Sequence, residues 1–213
     1  MEKEKTLAEI KKELEKNESV PLRESNMVFG EGDPDAAIMF IGEAPGFYED
    51  RERRPFVGRA GKLLDRLIGD IGMERKDVYI TNIVKRRPPE NRDPLPEELS
   101  AYRPYLTREI DAVDPKIIAT LGRFSMNYFL PDGKISRDQG KVFWWGEKIL
   151  VPLYHPAAAL RSTSVLGDLE KSFKTLKAVV LKYDELLRQK GGKSESSPVQ
   201  APENKKEEQI SLF

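Results

Sequence analysis

The chain has 213 residues, with 36 basic and 36 acidic side chains, one histidine and no cysteine. That length fits one compact domain with short appendages, and the missing thiols exclude disulfides, thiolate-held metals and clusters, and cysteine nucleophiles. No run approaches the roughly 18 apolar residues of a membrane span, and the opening MEKEKTLAEIKKELEK lacks a secretory core, so a soluble cytoplasmic protein without membrane contact is expected, working as a monomer.

Leu7, Ile10 and Leu14 recur at helical spacing, which predicts an amphipathic helix over about 5–16 within an N-terminal helix and connector, residues 1–26. The main domain is expected over 27–190. Within it four continuously apolar runs, AAIMFIGE (36–43), VYITNIV (78–84), KIIATLG (116–122) and ILVPLYH (149–155), read as buried parallel strands. GKLLDRLIGDIG, PEELSAYRPYLTREI and RFSMNYFL supply helices between them, and KVFWWGEKIL adds a hairpin before the last strand. Alternation of this kind predicts an α/β fold, a three-layer α/β/α sandwich with a central, mainly parallel four-stranded sheet. A long helix over about 167–189 follows. The stretch 191–208, rich in Gly, Ser, Pro and charge, cannot bury a core and is expected to be a disordered linker before an apolar end, QISLF (209–213). Abundant charge with few Asn and Gln is the balance of heat-adapted proteins.

Ligands of open α/β sheets sit beyond the carboxyl ends of the strands. There the sequence offers a carboxylate, Glu43, in GEAPG (42–46); an amide, Asn82, in TN (81–82); and the single imidazole, His155, in YHP (154–156). An amide presents an acceptor and a donor and can read one edge of a nucleobase; a strand-end Asn also caps turns. A zero net charge argues against a uniformly basic nucleic-acid binder and puts the weight on local clusters, Arg51, Arg53, Arg54 and Arg59 in one segment and Lys85, Arg86, Arg87 and Arg92 in another.

Four blocks in order, GEAPG (42–46), RPFVGRAGKLLD (54–65), YITNIVKRRPPENR (79–92) and HPAAALR (155–161), resemble the family 4 uracil-DNA glycosylases over about residues 27–185. The resemblance implies excision of uracil from DNA by base flipping, with Glu43 as the principal catalytic carboxylate and His155 donating a hydrogen bond to the departing base. Phe56 is expected to stack on the uracil, Asn82 to read its edge, and Gly42 and Ala44 to shape the pocket; Glu49 is expected to crowd C5 and reject thymine. Gly58, Arg59, Lys62 and Arg87 are expected to face DNA, with Leu160 and Arg161 entering the duplex from the minor groove. At Gly58 and Gly61 an anion-binding turn and close helix packing are both open. Alternative readings are a glycosylase for another deaminated base such as hypoxanthine, and a non-catalytic uracil- or DNA-binding homologue. The loop FYEDRERRPFVG has no histidine, unlike a relative that traps DNA covalently.

The family normally carries a four-iron cluster on four cysteines, and the matching places here are NESVPLR (17–23), Arg86 and Tyr102. No iron–sulfur cluster, other cofactor or metal site is therefore expected, and Tyr102 is expected to be buried beside Arg86, where an arginine over an aromatic face contributes about 0.5–2 kcal/mol. At the end of the chain EEQISLF resembles a shortened sliding-clamp-binding motif, with Gln209, Leu212 and Phe213 as the expected contacts to a clamp; a tail that docks on its own domain is the competing reading.

Overall fold

A computed structural model describes residues 1–191 and 208–209. The continuous apolar runs do become strands: β2 (Ile38–Gly42), β3 (Tyr79–Asn82), β4 (Ile117–Leu121) and β6 (Lys148–Leu153). They pair in parallel in the order β3-β2-β4-β6, with Phe40 opposite Ile80 and Ala119, and Ile118 opposite Leu150. Short antiparallel strands extend this core at both edges: β1 (Glu31–Gly32) beside β3, then β5 (Phe143–Trp145) and β7 (Glu208–Gln209) beyond β6. The expected four-stranded parallel sheet is thus the centre of a mixed sheet.

Period-two alternation sorts side chains between two cores. Ile38 and Phe40 of β2, and Ile117, Ala119 and Leu121 of β4, face α3 (Arg59–Asp70) and α8 (Thr163–Gly191), where Phe40 stacks on Phe173 with ring centroids 5.8 Å apart. Met39, Ile41 and Ile118 face the opposite core, built with α4 (Pro96–Val113) and α5 (Arg123–Phe129), and a single turn, α6 (Ile135–Asp138), leads on to β5. The N-terminal helix α1 (Glu2–Lys16) buries Leu7, Ile10 and Leu14 against this second layer. The three-layer sandwich follows, because every central strand is apolar on both faces and needs a helical layer on each.

The chain leaves β2 through α2 (Phe47–Glu52) and α3 on one side of the sheet to reach β3, then crosses by α4 on the other side to β4, beyond β2. Strand order therefore reverses at β2/β4, where such sheets open a crevice. The segment 17–26, where the family's first cysteines would lie, is tied to the body by protein atoms. The Tyr102 hydroxyl donates to the Pro21 carbonyl at 2.7 Å, Arg86 Nη1 donates to the Ser25 carbonyl, and Val28 N–H donates to the Lys85 carbonyl at 2.7 Å. Tyr102 and Arg86 are both buried; no contact of the arginine over the Tyr102 ring is found among the described residues, and the clasp consists of these hydrogen bonds to the connector. Of the linker expected over 191–208, only its two end residues are described, and Leu212 and Phe213 lie outside the described residues. Gln209 pairs through β7 with Phe143, the backbone arrangement of a tail lying on its own domain.

Candidate active site

Beyond the carboxyl ends of the central strands opens a cavity of about 450 Å³ whose lining includes Glu43, Ala44, Glu49, Phe56, Asn82, His155 and Arg161. The three strand exits singled out by their chemistry therefore converge. Gly42 ends β2 behind two cavity residues: a Cβ there would stand 2.3 Å from Asn82 Oδ1 and 2.6 Å from the Phe56 ring, so only glycine leaves those groups in place.

Phe56 is held in a left-handed conformation, φ 50°, that an aromatic residue adopts at a cost. Contacts on three sides stabilise it. Arg75 donates to the carbonyls of Pro55 at 2.5 Å and Phe56 at 3.1 Å, while Glu49 Oε1 accepts from Val57 N–H at 3.0 Å and Gly58 N–H at 2.8 Å. Gly61 packs so closely that a Cβ would lie 1.9 Å from the Phe56 carbonyl oxygen, which favours packing over anion binding for that glycine. The amide of Gly58 at the start of α3 already serves the Glu49 carboxylate, so that N–H is not open to a DNA phosphate. Phe56 and His155 form adjoining walls, with ring centroids 5.7 Å apart.

His155 caps α7 (Pro156–Ala159): its Nδ1 accepts from Ala157 N–H at 3.1 Å. That bond requires a lone pair on Nδ1 and so puts the proton of the neutral ring on Nε2. Desolvation pushes the imidazole pKa down to about 4, opposed by the charge of Glu49. Glu43 shifts the opposite way. Desolvation and then the nearby Asp93 raise its carboxyl to about 7, with Arg123 opposing. Asn82 is buried, and its Oδ1 has no hydrogen-bond partner among the described residues. A buried acceptor left unpaired costs about 1–3 kcal/mol and is tolerated where a ligand will satisfy it.

The basic segments do not form one continuous patch. Lys85 is wholly buried in an ion pair with Glu109, and Arg54 and Arg92 are paired with Glu31 and Glu98. Arg87 is half-buried, its guanidinium over Phe47 and its Nε donating to Asn91 at 2.7 Å; Arg59 and Lys62 are exposed on the first turn of α3. Leu160 is exposed and lines a second depression beside Arg161, Arg66 and Leu166. Sequence reasoning missed Asn91, Arg92 and Asp93 as cavity residues. The signal was Pro88-Pro89, which turns the chain back over the strand ends, where the Arg92–Glu98 pair anchors the loop to α4. Among the described residues no group of three or more His, Asp or Glu is placed to hold a metal ion. With no cysteine in the chain, the four-thiolate cluster of the family has no ligands here.

A cavity at a switch point of an α/β sheet, lined by a buried amide, a neutral imidazole and a raised carboxyl, has the chemistry of a hydrolytic site. Residues 29–180 match the model of the uracil DNA glycosylase superfamily. The chain is 49% identical over 167 residues to a type-4 uracil-DNA glycosylase of Sulfurisphaera tokodaii, covering 74% of this chain and 76% of that one. It is 49% identical to the type-4 enzyme of Saccharolobus solfataricus (80% and 85% covered) and 44% identical to that of Thermotoga maritima (71% and 83% covered). The chain belongs to the uracil DNA glycosylase superfamily, as a cysteine-free member of its type-4 branch.

Proposed function

We propose that the protein is a monofunctional uracil-DNA glycosylase that flips uracil out of DNA and hydrolyses its N-glycosidic bond, the opening step of base excision repair. The observation that carries the reading is the buried, unpartnered Oδ1 of Asn82, lying over Gly42 beside the Phe56 ring. That oxygen accepts from uracil N3–H while the amide NH2 donates to O4; cytosine reverses both polarities and is refused. Phe56 offers its face to the flipped ring.

His155, neutral and protonated on Nε2, donates to the uracil oxygen on which negative charge grows as the base leaves. Glu43, in its carboxylate form, stabilises the positive charge developing on the sugar and orients the attacking water. The N-glycosidic electron pair leaves with the base, the water oxygen bonds to C1′, and the water's proton is released. Glu49 narrows the pocket wall against a C5 methyl, and Leu160 fills the space vacated in the duplex, backed by Arg161. Phe47 and Tyr48 are exposed on α2, the helix that carries Glu49.

The test is a labelled oligonucleotide carrying one uracil, cleaved by alkali at any abasic site, with thymine, cytosine and hypoxanthine oligonucleotides alongside. Strong cleavage confined to uracil, without added metal and in the presence of chelator, is expected, and Asn82→Asp should shift the preference toward cytosine. Equal cleavage of hypoxanthine would replace the substrate assignment, and no cleavage of any oligonucleotide would end the enzymatic reading.

For the tail, the reading is a tethered clamp ligand: tethering raises effective concentration at DNA and leaves the active site as it is. A clamp must then displace the β5–β7 pairing. Calorimetric titration of the host's clamp with the full chain and a chain lacking 209–213 decides, since equal heats would remove the tail from the interface.

A further inference from the structure

In a chain of zero net charge Arg54, Arg75, Arg92, Arg108 and Arg123 each find a carboxylate. Four cations gathered in one place do not. Lys11, Arg23, Arg53 and Arg86 line a single depression of about 290 Å³ between α1, the 17–26 connector and the end of α2, together with Glu15 and Glu24. Among the described residues, none of these four cations has a carboxylate partner at ion-pair distance. Arg23 donates to the carbonyls of Asn17 and Glu15, Arg53 to the side-chain oxygen of Asn26, and Arg86 to the Ser25 carbonyl, so each of these acceptors is neutral. Arg86 is the most buried of the four, at 6% exposure, and its Nε has no hydrogen-bond partner among the described residues.

A guanidinium taken out of water keeps its charge and needs a compensating anion or a full set of acceptors. Here the carbonyls satisfy only part of the fork. The two carboxylates leave the depression with an excess of two positive charges, and they are not bonded to the arginines. A tetrahedral oxyanion fits the remaining need: several oxygens, each able to take a charge-assisted bond from a different guanidinium.

We infer that this depression is a phosphate-binding site, separate from the uracil cavity, that takes a backbone phosphate of the bound DNA; its use for DNA rests on the glycosylase reading above. Arg53 terminates α2, the helix whose Glu49 lines the uracil cavity four residues earlier. Four residues of helix advance about 6 Å, so α2 links the depression to the uracil cavity over a short span, and the site engages a backbone phosphate near the flipped nucleotide. Free inorganic phosphate offers the same chemistry.

The experiment has two arms, on the full chain and on an Arg23→Ala/Arg53→Ala variant, both positions being exposed. An Arg86→Lys variant keeps the charge and removes the fork. Lys116→Ala, at the opposite end of the sheet, is the control. In the first arm, fluorescence anisotropy of a uracil-free duplex is followed against salt. The slope of log affinity on log salt should shrink by about 0.9 for each phosphate no longer neutralised, in the double variant and not in the control. Affinity at fixed salt should fall in Arg86→Lys. In the second arm, orthophosphate is titrated at constant ionic strength while the melting temperature is read. A changed slope with no phosphate-dependent stabilisation identifies the DNA strand as the source; stabilisation of the parent but not of the variants identifies free phosphate. An unchanged slope together with identical melting temperatures overturns the site. Because the duplex contains no uracil, these results stand or fall independently of base excision.

Discussion

Thr81 and Asn82 are neighbours on β3, yet they enter opposite faces of the sheet and meet opposite treatment. Around Thr81 the polar side chains of Tyr79, Lys85 and Glu109 are matched to one another. Lys85 Nζ donates to Thr81 Oγ1 at 2.6 Å, to the Asn82 carbonyl at 2.7 Å and to Glu109, which also accepts from the Tyr79 hydroxyl at 3.1 Å. On Asn82's side the amide oxygen is unpaired among the described residues, the Glu43 carboxyl is raised to about 7 and the His155 ring is held neutral. Two buried polar clusters, one residue apart, thus differ in saturation. The saturated one holds the strand end in place, and the unsaturated one leaves an acceptor open, where the proposed function puts the base.

The largest expected effect breaks the saturated side. Lys85→Met or Glu109→Gln alone leaves an unmatched buried group and should cost about 3–5 kcal/mol of stability, whereas Lys85→Met combined with Glu109→Leu should recover much of it. Denaturant unfolding of the three variants checks this; a double variant no better than either single one would mean that the pair does more than balance itself.

On the open side, Glu43→Gln and His155→Ala should each lower kcat by about 10²–10³-fold, or about 2.7–4 kcal/mol of transition-state stabilisation, with the melting temperature little changed. Full activity in both would sink the proposed mechanism. The acidity of Glu43 supplies a finer probe. Its folded pKa lies above the ordinary value of 4.5, so the carboxylate form grows as pH rises through about 7. The rate should therefore fall about tenfold per pH unit below that point. The same carboxyl contributes to stability in the other direction: its contribution is full below 4.5 and is lost as pH rises through about 7. His155 adds no second limb until about 4. A pH profile of excision by Glu43→Gln that kept the limb near 7 would assign it to another group. The smallest effect is at the clasp, where Tyr102→Phe removes one hydrogen bond to Pro21 and should cost about 0.5–1.5 kcal/mol, read by thermal unfolding.

Much of this architecture was legible because fully buried parallel strands are written as unbroken apolar runs, and the residues that end such runs are already at the crevice. Glu43, Asn82 and His155 could be found that way. The edge strands could not: β1 is two residues long, Glu31–Gly32, and has no pattern to detect. Gly58 illustrates a different limit. A glycine before a helix suggests an anion site, and an anion does take its amide, but that anion is Glu49 from nine residues earlier, a long-range choice that spacing does not reveal. The basic run at Lys85 misled for the same reason, since one of its charges is turned into the core by Glu109 on a helix 24 residues away. Asn91 and Asp93 were hidden by the return of the loop after Pro89.

The clasp of Tyr102 and Arg86 on the connector also bears on how such an enzyme is made. A joint fastened by a phenol, a guanidinium and two carbonyls assembles as the chain folds, with no delivery of iron or sulfide and no protected thiols. Oxidants that strip clusters find no thiolate there to attack. In the laboratory the same joint should survive air, chelators and repeated freezing, so preparations can be stored and compared without reconstitution.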